Sequence, residues 1–344
     1  MEADAANSKN RITLGLSGPT RFRGGRFVVG LVAISFLLSA AGCRSHSWLR
    51  RNSGDPPPIA FTALPNPQEA IGAVNANTQR VQSLQTQGAT LSIPGAPSIS
   101  AEIAVERPRK LRLKAKTSLT GPELDLGSNN ELFWLWAARM PEPSVFYARH
   151  DQFATSRARQ MLTIEPGWLI EALGLVEIDP ASVLEGPHAD GNDRVKLRTT
   201  VASAGGQYTR LLMLHHRYAW VLEQHVYDER NQLIGSAFCS GHEYNTVDGV
   251  SLPKRVTVQM PQGLPRLQLD IDRWAINQPL VDAATAFELP KSQLGNYPFV
   301  DMADPRFVPP SSGGNGGVPA QPASASTQPP KAETSRRLRG FGRW

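Results

Sequence analysis

Residues 99–119 read ISAEIAVERPRKLRLKAKTSL, and this stretch decides the fold class. Ile99, Ala101, Ile103 and Val105 alternate with Ser100, Glu102, Ala104 and Glu106. Beyond Arg107-Pro108, Leu111, Leu113, Ala115 and Leu119 alternate with Arg112, Lys114, Lys116 and Ser118. An apolar period of two places successive side chains on opposite faces of a strand. Each run therefore has one dry and one wet face, the pattern of an antiparallel sheet with solvent on one side. The acids of the first run and the bases of the second are set to pair across neighbouring strands on the wet face.

Working outward, a helix precedes these strands. Asn66 caps it, Pro67 suits its first position and Glu69 completes a capping box. Ile71, Val74, Thr78 and Val81 then share one face. Downstream, strands are expected over 132–136, 145–148, 195–201, 209–214, 219–227, 233–244, 253–260 and 267–276. Asp228-Glu229-Arg230-Asn231 and Val247-Asp248-Gly249 are hairpin turns. A second helix lies between Pro166 and Gly174, with Trp168, Leu169, Ala172 and Leu173 inside. The class is mainly β with a few helices, with far too little helix for an α/β nucleotide-binding domain.

About ten strands with one apolar face each must curl into a barrel or half-barrel to hide that face. Two short helices plug such a trough only in part, leaving a hollow suited to acyl chains. A fully packed sandwich would show the same alternation, so both interiors are open at this point. Phe133, Trp134, Leu135 and Trp136 put apolar groups on both faces of one strand, and one face would line the hollow. With Trp168 they are the candidate cavity lining.

The ends of the chain carry different signals. Phe36-Leu37-Leu38-Ser39-Ala40-Ala41-Gly42-Cys43 closes an apolar run that follows Arg21, Arg23 and Arg26. A basic flank, an apolar heart and a small-residue exit form a secretory signal, and about 15 apolar residues fall short of the roughly 20 that span a bilayer. Cysteine directly after Ala-Ala-Gly resembles a bacterial lipobox. Residues 1–42 are then a lipoprotein signal peptide, and the Cys43 thiol carries the lipid. An uncleaved anchor helix is the alternative. Residues 43–65 form a tether stiffened by Pro56-Pro57-Pro58, 66–303 the domain, and 304–344 a Pro/Gly/Ser-rich tail with a basic end.

The formal charge of +6 invites a nucleic-acid reading, but its placement refuses it. Residues 1–51 carry +6 and 331–344 carry +4, so the body between them is at −4. Arg336, Arg337, Arg339 and Arg343 are placed to meet an anionic surface or to remain solvated. Of the two cysteines, Cys239 sits in a strand-like run and reads as a small buried apolar residue.

Little points to catalysis. Cys239 with His242 and His225 is a weak metal pattern without His-Glu-x-x-His spacing, and His215-His216 read as ordinary histidines. No Gly-x-Ser-x-Gly elbow, Walker loop or dinucleotide fingerprint occurs. No cofactor and no metal are called for, and the chain reads as a binder rather than an enzyme.

The order of elements resembles the LolA/LolB superfamily of lipoprotein carriers and receptors. The resemblance covers roughly residues 66–303. It rests on the capped helix before alternating strands, the mid-chain helix, and two strings, GVSLPKRV at 249–256 and FELP at 287–290. GPELDLGSNNELFWLW at 121–136 resembles a variant group of that superfamily. With the lipobox, LolB is the nearer relative. The resemblance implies an open barrel of about eleven strands with a helical lid and no catalytic residues. It also implies a protruding membrane-insertion loop, matched by strand order to 119–130, with Leu119, Leu124 and Leu126 as its apolar members. Arg44 after the cysteine implies sorting to the outer membrane, facing the periplasm. The partners expected are a membrane, through acylated Cys43, and lipid or lipoprotein acyl chains. A structural envelope lipoprotein with a solid interior is the rival reading.

Overall fold

The computed structural model describes residues 56–162, 164–203, 206–261 and 266–309. The expected signal segment 1–42, Cys43 and the basic tail lie outside them. The first helix, α1 (Pro67–Gln79), starts as the capping box requires. Asn66 Oδ1 accepts from the Glu69 amide at 3.0 Å, and the Asn66 amide donates to Glu69 Oε2 at 3.0 Å.

Six strands follow: β1 (Ser83–Ser92), β2 (Ile99–Glu106), β3 (Lys110–Thr117), β4 (Gly121–Ser128), β5 (Leu132–Ala137) and β6 (Val145–Arg149). Three short helical turns come next, α2 (His150–Phe153), α3 (Ala158–Met161) and α4 (Trp168–Ala172). The second half holds β7 (Val183–Asp190), β8 (Arg194–Ser203), β9 (Gly206–His215), β10 (Val221–Tyr227), β11 (Leu233–Ser240), β12 (Glu243–Asn245), β13 (Val250–Leu252), β14 (Arg255–Gln259), β15 (Leu267–Ile271), β16 (Ala275–Ile276) and β17 (Phe299–Asp301).

Apart from the β12–β13 ribbon, the described strands join one fifteen-stranded sheet. Its order is β17-β6-β5-β4-β3-β2-β1-β15-β14-β11-β10-β9-β8-β7, with β16 beside β1. Only β17 against β6 is parallel. The order ends in two separate edges, β17 and β7, so the expected barrel is an open curved sheet. The wet-face pairing expected from the sequence is present: Lys116 Nζ meets Glu102 at 2.6 Å and Lys110 Nζ meets Glu106 at 2.5 Å. These exposed pairs contribute about 0–1 kcal/mol each and set register more than stability.

One core brings the two halves of the sheet together. Leu84, Ile103, Leu113 and Leu126 from the first half share it with Val226, Ile234, Val256 and Leu269 from the second. Trp168, Ile170, Leu173 and Leu175, in and just after α4, fill the space between. Burial of such side chains contributes about 1.5–3 kcal/mol each. Helix α1 sets Ile71 and Val74 on Val195, Leu197, Leu212 and Leu214 in a second cluster. It is pinned there by Asn75, whose side chain exchanges two 2.8 Å hydrogen bonds with the Ile178 backbone.

The opposite face of β3–β5 is covered by the segment that leads into β17. There Arg112 pairs with Asp125 at 2.5 Å and donates to the Ala286 and Glu288 carbonyls. Trp134 Nε1 donates to Asp125 Oδ1 at 3.0 Å. Gly127 is required beneath that indole, because a Cβ would stand 2.1 Å from Trp134 Cζ2.

Two expectations change here. Residues 119–130 are not one loop: most form β4, and Leu126 is only 4 % exposed in the main core. Leu124 packs against the same core, leaving Leu119, 95 % exposed, alone at the β3–β4 tip. The aromatic strand 132–136 is β5, but its residues divide among three clusters. Leu135 is in the main core, Phe133 packs with Phe146 and Phe153, and Trp134 and Trp136 lie under the covering segment with Leu294.

Candidate ligand cleft

Where the two halves of the sheet face each other, a cleft of ≈ 780 Å³ remains. One wall is the β2–β3 turn and the start of α2, at Arg109 and His150; the other is β8–β10, at Val201, Tyr208 and Val226. The floor is the segment entering α4, with Ile164 and Trp168. Trp168 reaches this place because Gly174, at φ +94°, ends the helix, and because Gly235 on β11 has no side chain. A Cβ on Gly235 would stand 2.4 Å from Ile164 Cδ1 and 3.3 Å from Trp168 Cη2. A depression of ≈ 800 Å³ also lies beside the β1 bulge near Gly88. The cleft above Trp168 differs in setting apolar residues, Ile164, Trp168, Val201 and Val226, beside buried polar groups, the composition of ligand sites.

Those polar groups come from core-facing strand positions. Arg210, 2 % exposed, places each of its three guanidinium nitrogens in a hydrogen bond. Its Nη1 donates to Glu171 Oε2 at 2.7 Å, Nη2 to the Glu177 carbonyl at 3.0 Å and Nε to Thr199 Oγ1 at 3.3 Å. Gln224 Nε2 donates to the same Glu171 oxygen at 2.9 Å. At the rim, His150 Nδ1 stands 2.9 Å from Glu165 Oε1, and its Nε2 is 2.9 Å from the Asn129 carbonyl. The His150 contact holds the Glu165 carboxyl below the usual carboxylate range, outweighing the burial that pushes it up. Arg159 adds a 3.2 Å bond to the Tyr208 hydroxyl.

Of the five residues expected to line a cavity, Trp168 borders this cleft, whereas Phe133, Trp134, Leu135 and Trp136 are packed elsewhere. Arg210, Glu171 and Gln224 were missed by pattern reading. Their signal was a polar residue in a core-phase position, as in Tyr208-Thr209-Arg210-Leu211-Leu212.

The histidines and Cys239 do not converge on one point. Cys239 Sγ donates to the Ala172 carbonyl at 3.4 Å, and burial pushes its thiol up to about 12. His225 bonds Ser236 Oγ and Glu223. His242 lies flat on Trp220, ring centroids 4.7 Å apart and 7° from parallel, while His215 stacks on His216 at 4.8 Å.

Among the described residues, no helix is long and apolar enough to cross a membrane. No family model matches the chain, and no curated protein matches it in sequence. Solved structures do resemble it. A domain named for outer-membrane lipoprotein sorting, from Vibrio parahaemolyticus, is 11 % identical with a TM-score of 0.42, covering 63 % of this chain and 96 % of its own. A LolA superfamily protein from Nitrosomonas europaea is 10 % identical with a TM-score of 0.38, covering 64 % and 97 %. A DUF1329 family protein from Desulfovibrio piger is 14 % identical with a TM-score of 0.41, covering 64 % and 96 %.

Proposed function

We propose that this chain is a lipid-anchored envelope protein that binds a hydrophobic guest, with a LolB-like role in lipoprotein localisation and no catalytic chemistry. The observation carrying this reading is the ≈ 780 Å³ cleft between the two halves of the curved sheet, floored by Trp168 and Ile164. That volume falls in the range of small-molecule sites, about 300–1,000 Å³. Each methylene buried there contributes about 0.8 kcal/mol, so an acyl chain is held without covalent chemistry.

In this reading acylated Cys43 fixes the protein to the periplasmic face of the outer membrane, and the exposed Leu119 tip touches the bilayer. The basic end of the tail adds attraction to anionic headgroups. The guest is a lipid or the acyl part of a lipoprotein. Native mass spectrometry after gentle extraction tests it: co-purifying lipid is expected, and a clean, empty monomer would overturn guest binding. The rival reading, a structural envelope lipoprotein, is favoured by one observation: α4 and its flanks already occupy much of the concave face. An empty monomer would leave that reading standing.

A further inference from the structure

Two polar atoms at the floor and wall of the cleft lack partners. Gln224 is 1 % exposed, and its Nε2 is committed to Glu171. A carboxylate only accepts, so this bond settles which end of the amide is which. The remaining atom, Oε1, is a buried acceptor with no hydrogen-bond partner among the described residues. Trp168, 8 % exposed, has an Nε1–H donor in the same condition. Both residues border the cleft. Buried polar groups are nearly always paired, so each orphan points to something it meets in use.

The charges around them decide what that something is. Arg210, the buried cation of the cleft, has a partner on each of its three nitrogens, and its charge is already matched by Glu171 at 2.7 Å. The carboxylates of the lining are matched as well: Glu171 by Arg210, Glu165 by His150 and Asp151 by Arg149, with Arg109 at the rim. A carboxylate or phosphate buried here would lose its water and find no buried cation outside an existing pair among the described residues. An amide, or an ester carrying hydroxyls, meets an acceptor and a donor.

We infer that the cleft selects amphiphiles whose polar end is uncharged and both donates and accepts hydrogen bonds, through Gln224 Oε1 and Trp168 Nε1, over amphiphiles ending in a carboxylate or phosphate. This rests on the reading of the cleft as a guest site and names the class of guest.

Calorimetric titration of the full chain with four amphiphiles of equal chain length tests it: decanamide, monodecanoylglycerol, decanoate and decyl phosphate. The two neutral compounds should bind about tenfold tighter than the two anions. Gln224→Met and Trp168→Phe should each narrow that preference to about threefold. The wild-type comparison stands by itself if a variant fails to fold. Equal or tighter binding of the anions overturns the inference while leaving guest binding intact, as does an unchanged preference in folded variants. Failure of all four to bind folded protein overturns the guest-binding reading and this inference with it.

Discussion

His242 lies face to face with Trp220, and burial pushes its pKa down to about 4, helped by the neighbouring His215 and opposed by a backbone contact to Val221. In the unfolded chain the same imidazole titrates near 6.5. Because the folded value is the lower one, His242 destabilises nothing above about pH 6.5. As pH falls below that, the unfolded state takes up a proton that the folded state refuses, and stability is lost until about pH 4. At about pH 5 the linkage amounts to about 2 kcal/mol. His215, depressed by burial and by His216, acts in the same direction. His242→Phe keeps a ring against Trp220 and removes the titration. Urea unfolding at about pH 7.5 and about pH 5 should show wild type losing about 2 kcal/mol more than the variant between the two conditions. Carboxylates titrate alike in both proteins and cancel in that difference. Equal losses would refute the lowered pKa of the half-buried His242.

Three other outcomes follow from the packing. Gly127→Ala drives a methyl into the Trp134 indole, which its bond to Asp125 prevents from swinging aside, and should cost about 1–3 kcal/mol in urea unfolding. Asp125→Ala strands the buried Arg112 and should cost about 3–5 kcal/mol by the same measurement; a loss below 1 kcal/mol would mean the pair is open to water. Leu119→Ser should leave stability within about 0.5 kcal/mol while reducing co-flotation of the protein with lipid vesicles, and unchanged flotation would remove the β3–β4 tip from the membrane contact.

What could be read from the sequence was whatever obeyed a single period. The α1 capping box and the alternation of β2 and β3 are local, so each announces itself without knowledge of neighbours. Strand β1 did not, because its pairing with β2 shifts register between Thr86 and Ala89, and the bulge breaks the alternation. Strand β4 hid behind residues that ordinarily make turns. In place, Asp125 answers Arg112 and Gly127 answers Trp134, both of them contacts across the sheet. Strand β7 carries Gly186-Pro187, tolerated because it is an edge. The cleft was illegible for a related reason. Curvature of the sheet was foreseeable, but the Arg210–Glu171–Gln224 group exists only when β9, α4 and β10 meet.

The inertness of Cys239 gives the chain a built-in reporter. Sequestered behind α4 and titrating only at strongly alkaline pH, this sulfur is silent toward alkylating reagents while the fold holds. The chain has two cysteines, so any maleimide uptake by native protein counts free Cys43 alone. If Cys43 carries the proposed lipid, membrane-extracted material takes up none, whereas a version lacking residues 1–42 takes up one equivalent per molecule.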